Sequence, residues 1–193
     1  MENEFNYKDS LKAIEEMIAQ AKHRPGKADA AITLLWGYLV AAAALLHWYL
    51  AAVLQAPYAP MAWLLMLVGA VVTPILSRQT KKSRRVKTFI DNLIVQLWIA
   101  FGVSFVVLSV AMGSADPHFL PTVMLLYGAT MWVHGALLKF VPYQVGAVAC
   151  WLGSILAFGL APEQQLLVLA GVMIPGYLIP GHLLYAKTAS THV

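Results

Sequence analysis

Eight residues of this chain have the chemistry or backbone character to form a site: Asp91, Asn92, Gln96, His134, Lys139, Pro175, Gly176 and His182. All are set in runs that are otherwise apolar. Polar groups at membrane depth are costly, which makes them default candidates for a ligand site or a pathway. Asp91, Asn92 and Gln96 open the apolar run 88–113, His134 and Lys139 close 118–138, and His182 closes 165–185. At ~1.5 Å of rise per residue in helices that alternate in direction, these positions gather in one third of a bundle. Asp91 follows Lys87 by four residues, so one reading is a pair along a helix face. The other aims Asp91 inward at His134 or His182, as a carboxylate–imidazole pair able to carry a proton or bind a cation.

The stretch Ile174–Tyr185, IPGYLIPGHLLY, adds two proline–glycine breaks. Pro175 cannot donate to the carbonyl of Gly171, nor Pro180 to that of Gly176. Depth counting puts Pro175 near mid-membrane, where non-helical backbone survives only inside protein or beside water. A donor from His134, Asn92 or Gln96 is one way to meet a freed carbonyl. Two readings stay open for this break: a kink healed by its neighbours, or a cavity or hinge. Pro180–Gly181 falls near the interface, where a helix is free to end.

Enzyme signatures are missing. The sequence contains no HExxH, GxSxG or P-loop pattern, and Cys150 is its single thiol, so no cysteine zinc cluster is possible. Ser104, Ser109 and Ser154 read as helix-packing serines. A haem reading can be drawn, with His47 and His118 toward one side and His134 and His182 toward the other. The histidines show no paired spacing, however, so neither a cofactor nor a metal is expected.

The elements that must position these residues follow from composition. The chain is 60% hydrophobic and 11% charged, with a mean hydropathy of +0.70. Soluble domains run nearer ~25% charged. Apolar runs of the ~20 residues that a bilayer crossing needs occur six times, at 30–54, 61–77, 88–113, 118–138, 143–160 and 165–185. Asp29, Asp116 and Glu163 sit at helix starts, where a carboxylate suits the free N–H groups, and Pro60, Pro142 and Pro162 near first-turn positions. The runs lack the alternation of barrel strands. The expected fold is all-α: a polytopic membrane protein of six transmembrane helices (30–187), with an N-terminal segment (1–29) and a short polar tail (188–193). The first apolar run has no small-residue cleavage pattern and is expected to act as an uncleaved signal anchor.

Charge sets the expected orientation. All 13 Lys and Arg fall on one side: five before the first span, Arg78, Lys81, Lys82, Arg84, Arg85 and Lys87 between the second and third, Lys139, and Lys187. The other side shows only QAPYAP, SADP and APEQQ. Basic residues stay cytoplasmic on insertion, so both termini are expected inside. The basic loop then suits anionic lipid headgroups or a partner rather than nucleic acid. Residues 9–24 form an expected amphipathic helix, with Leu11, Ile14, Met17, Ile18 and Ala21 on one face. That face suits the membrane surface, a cytoplasmic protein partner or a second copy of the chain.

Packing signals are concentrated in the fifth span. Gly146, Cys150 and Ser154 are spaced by four, as are Ala149, Gly153 and Ala157, which predicts a central helix. Trp36, Tyr58, Trp63, Tyr143, Tyr177 and Tyr185 are expected among the interfacial anchors. The motif Leu34-Leu35-Trp36-Gly37 returns as Leu125-Leu126-Tyr127-Gly128, a thin sign that the two three-span halves form an inverted repeat.

The stretches KDSLKAIEEMIAQAKH, GALLKFVPYQVGAVACW and YLIPGHLLY resemble a group of small multi-span bacterial inner-membrane proteins of uncharacterised role. The resemblance implies an inner-membrane class and no site residues. Two functions follow as expectations. One is a non-enzymatic membrane protein that binds a partner or lipid in a regulatory or scaffolding role. The alternative is a small transporter or channel with its pathway beside the kinked sixth span.

Overall fold

The computed structural model describes residues 10–12, 26–83, 89–113 and 116–190. Among the described residues, six stretches are long and apolar enough to cross a membrane: Lys27–Val53, Ala59–Arg78, Phe89–Met112, Phe119–Leu138, Val141–Phe158 and Pro162–Thr188. The first comprises α1 (Lys27–Trp48) and a π-turn at Tyr49–Val53. A 3₁₀ turn, Ala59–Leu64, leads into α2 (Leu65–Ser83), followed by α3 (Phe89–Met112), α4 (Phe119–Leu138) and α5 (Val141–Phe158). The sixth span is composite: α6 (Pro162–Met173), a π-turn at Ile174–Leu178, and α7 (Ile179–Ser190). No strand occurs among the described residues. The chain is thus an all-α polytopic membrane protein. Of the amphipathic segment 9–24, Ser10–Lys12 are helical and the rest lies outside the described residues.

Local chemistry sets the ends. The Gly26 N–H donates to the Asp29 carboxylate at 2.6 Å, tying off the start of α1. Lys139 takes a left-handed conformation (φ 52°) after α4, with its N–H on the Ala136 carbonyl and that of Phe140 on the Gly135 carbonyl. Pro142 then occupies the first turn of α5, where its missing N–H is not needed. This turn folds α4 and α5 into a tight hairpin. Gly128 lets Trp151 approach so closely that a Cβ there would stand 2.5 Å from the indole ring.

Packing follows an uneven plan. The sixth span touches the first, fourth and fifth and has the largest buried share (44%), ahead of the fifth (39%). The hub is therefore the sixth span, with the first as its main partner; the fifth, expected to be central, packs mainly on the fourth. Span two packs on span one through Trp36, whose indole N–H donates to Thr73 Oγ1 at 3.0 Å beside Gly69. Span three packs on span four through an aromatic ladder of Trp98, Phe101 and Phe105 against Tyr127, His134 and Phe119. The core is small and soft, with Ala30, Ala43, Ala44, Ala147, Cys150 and Ala157 beside Met124, Met131 and Met173. Close approach through small residues is what drives helix association in lipid, where no hydrophobic force operates between helices.

The repeated Leu-Leu-aromatic-Gly motif does not act twice in the same way. Trp36 turns to the second span and Gly37 to the sixth, whereas Gly128 faces the fifth and Tyr127 the third and sixth. The two copies of the motif serve different neighbours.

Candidate functional site

Pro175 is the middle residue of the sixth span, as depth counting expects. Its missing N–H is absorbed locally. The Ile174 N–H donates to the Gly171 carbonyl, the bond that Pro175 cannot make, and the helix widens so that the Ile179 N–H reaches the Ile174 carbonyl. The Gly171 carbonyl thus needs no side-chain donor from His134, Asn92 or Gln96. Gly176 is buried against the fifth span. A Cβ on Gly146 would stand 2.8 Å from the Gly176 Cα and 2.9 Å from the carbonyl oxygens of Pro175 and Gly176, and a Cβ on Gly176 would stand 3.4 Å from Cys150 Sγ. Backbone meets backbone at this level.

The second break is also a contact, and the helix, free to end near the interface, continues through it. Residues 179–190 remain helical, and Pro180 and Gly181 are buried. A Cβ on Gly181 would lie 2.7 Å from Leu34 Cδ2, and one on Gly37 would lie 2.7 Å from Tyr177 Cβ. The repeated Ile-Pro-Gly therefore serves two sides of one helix: Gly176 seats it on the fifth span, Gly181 on the first.

The polar candidates near the basic end divide between separate places. Tyr143 and Thr33, both buried, share a 2.6 Å hydrogen bond between α5 and α1, and Thr33 Oγ1 also donates to the Asp29 carbonyl at 3.0 Å. His134 stacks on Tyr143 (centroids 5.1 Å apart, 17° between planes) and meets Trp98 edge-on at 5.7 Å. His182 instead meets the first span, with its Nε2 3.0 Å from the Tyr38 hydroxyl. Asp91 is half-buried in the first turn of α3, while Asn92 and Gln96 are exposed. Lys139 and Arg78 are exposed; Lys81 and Lys82 continue α2, and Arg84, Arg85 and Lys87 lie outside the described residues.

Among the described residues, the other two histidines, His47 and His118, are engaged at the opposite end. His47 Nδ1 accepts the Trp63 indole N–H at 3.0 Å, and His118 Nδ1 is 3.2 Å from an Asp116 carboxylate oxygen. No group of three or more His, Cys, Asp or Glu residues suited to a metal occurs among the described residues.

Several organising contacts carry no obvious sequence signal. Tyr143 and Tyr177, expected at the interfaces, are 1% and 3% exposed, and Tyr177 stacks on Tyr127 at 5.0 Å. Gln165, opening the sixth span, is buried and donates to the carbonyls of Pro117 and Leu160 at 2.8 and 3.0 Å. Ser154 does act in packing, donating to the Pro121 carbonyl at 2.7 Å.

Two apolar grooves open on the outer surface. One, of about 380 Å³, lies between spans one and two near Leu50 and Met61; the other, of about 480 Å³, lies beside Leu108, Leu125 and Trp151. Neither is lined by Pro175 or Gly176. Comparison with protein-family models, with curated proteins and with solved structures found no match for the chain.

Proposed function

We propose that the protein is a non-enzymatic, multi-pass inner-membrane protein with both termini in the cytoplasm. There it binds a partner protein or anionic lipid in a regulatory or scaffolding role. The observation that carries this reading is the Gly146–Gly176 contact. The mid-membrane break, the natural place for a pathway, is filled by backbone from two spans. A transport route beside the sixth span would require that contact to separate.

The basic end supports the same reading. Lys27, Arg78, Lys139 and Lys187 are all exposed there, while the opposite connections at 54–60, 113–118 and 159–164 carry Asp116 and Glu163 and no Lys or Arg. Charge of this sign beside a cytoplasmic leaflet attracts anionic headgroups.

The test is reconstitution of the full chain in nanodiscs of mixed phosphatidylglycerol and phosphatidylcholine, with retained lipid read by native mass spectrometry. In parallel, proteins that co-purify with the full chain are compared with those retained after deletion of residues 1–24. Preferential retention of phosphatidylglycerol that falls in Arg78→Glu and Lys139→Glu, or a protein partner lost on deletion, supports the reading. Equal lipid retention with an unchanged set of co-purifying proteins overturns it.

A further inference from the structure

We propose that the outward face of α3 is a self-association surface, through which two copies of this chain pair side by side about a two-fold axis along the bilayer normal. The surface is distinct from the basic end discussed above and does not depend on it.

The helix α3 has two unlike faces. Trp98, Phe101 and Phe105 turn to the fourth span, and no residue of α3 is buried. Away from them, Asn92, Gln96, Ile99, Val103, Val106 and Val110 follow one another at intervals of four, three, four, three and four, and all six are exposed. Val110 is 82% exposed, Val103 and Val106 59%, and Ile99 52%. That alternation keeps side chains on one line along a helix and is the spacing of a knobs-into-holes seam.

Lipid tails cover valine well; they do not satisfy an amide. Counting ~1.5 Å per residue from Phe89, Asn92 lies ~5 Å and Gln96 ~10 Å along the helix. Gln96 is then ~7 Å from the helix midpoint, well inside a hydrocarbon layer ~30 Å thick. Neither amide is hydrogen-bonded to another described residue. A carboxamide carries both a donor and an acceptor, so it is complementary to itself. Copies inserted in the same orientation and related by a two-fold axis put Asn92 opposite the second copy's Asn92 and Gln96 opposite its Gln96. The valine line continues the contact outward. A single seam along this line thus gives both amides partners, which is how polar side chains join membrane helices.

Cysteine scanning of the full chain in its membrane tests this. Single replacements Ile99→Cys, Val103→Cys, Val106→Cys and Val110→Cys are compared, under mild oxidation, with Phe101→Cys and Leu108→Cys on the inward side. Buried Cys150 is the internal reference that should not cross-link. Disulfide-linked dimers are expected at the four outward positions and not at the two inward ones. In liposomes carrying donor- and acceptor-labelled copies, Gln96→Leu should raise the dimer dissociation constant about threefold, the size of an average interhelical hydrogen bond. Cross-linking without the four-three rhythm, a chain that stays monomeric as the protein-to-lipid ratio rises, or unchanged association in Gln96→Leu would each overturn the proposal.

Discussion

Gly146 and Gly176 meet without side chains between them: a methyl group on Gly146 would fall 2.8 Å from the Gly176 Cα. The π-turn brings the kinked backbone of the sixth span into direct contact with the fifth, and glycine is what makes the approach possible.

The first prediction concerns this contact. Gly146→Ala should lower stability by ~1–3 kcal/mol, the usual cost of forcing a methylene-sized group into a packed core. Gly171→Ala, at a position with open space around its Cβ, should leave stability unchanged or slightly raised. Thermal unfolding in detergent compares the two. Equal losses would mean that the approach at Gly146 is not what the residue provides.

Tyr143→Phe should cost about 0.6 kcal/mol and at most ~1.7, the range measured for hydrogen bonds between membrane helices. Thr33→Val removes the same bond from the other side, and also the bond from Thr33 to the Asp29 carbonyl. The double variant should therefore lose less than the sum of the two single losses. Strict additivity would show that the 2.6 Å contact contributes nothing.

Gln165→Leu keeps the volume and removes both donors. It leaves the carbonyls of Pro117 and Leu160 without that amide, at a cost of ~1–3 kcal/mol where they stay shielded from water. Because those carbonyls belong to two different connections, limited proteolysis at 113–118 and 159–161 should accelerate together. Faster cutting at one connection alone would contradict the shared anchor.

Orientation is checked by labelling. Lys139→Cys and Glu163→Cys place thiols at opposite ends of the bundle, and buried Cys150 should stay silent. A membrane-impermeant maleimide applied to intact cells should label Glu163→Cys at once and Lys139→Cys only after lysis, as the positive-inside rule requires. The reverse order would invert the proposed topology.

The spans were legible in the sequence because bilayer crossing is a demand on length and polarity, and both are read directly from residues. The ends were legible for the same reason: Asp29 and Pro142 act within a few residues of their own positions. Partners were not. Tyr143 looks like an interfacial anchor until α1 is laid against α5 and Thr33 appears beside it. Depth counting found Pro175 at mid-membrane but could not tell that the Ile174 N–H, one residue away, would take the Gly171 carbonyl. It also misjudged Pro180–Gly181, since a break near an interface and a groove for Leu34 have the same local sequence.

The place of the sixth span in this plan has a consequence for biosynthesis. Spans one and four each meet their own flanking helix, two and three, but it is the sixth that touches the first, the fourth and the fifth together. It leaves the ribosome after all five. Until then, the Thr33 end of the first span and the Gly146 face of the fifth lack the neighbour that seals them. The bundle therefore closes as a late event, and chains cut short before Ile174 would reach the membrane inserted yet unassembled, a ready substrate for quality-control proteolysis.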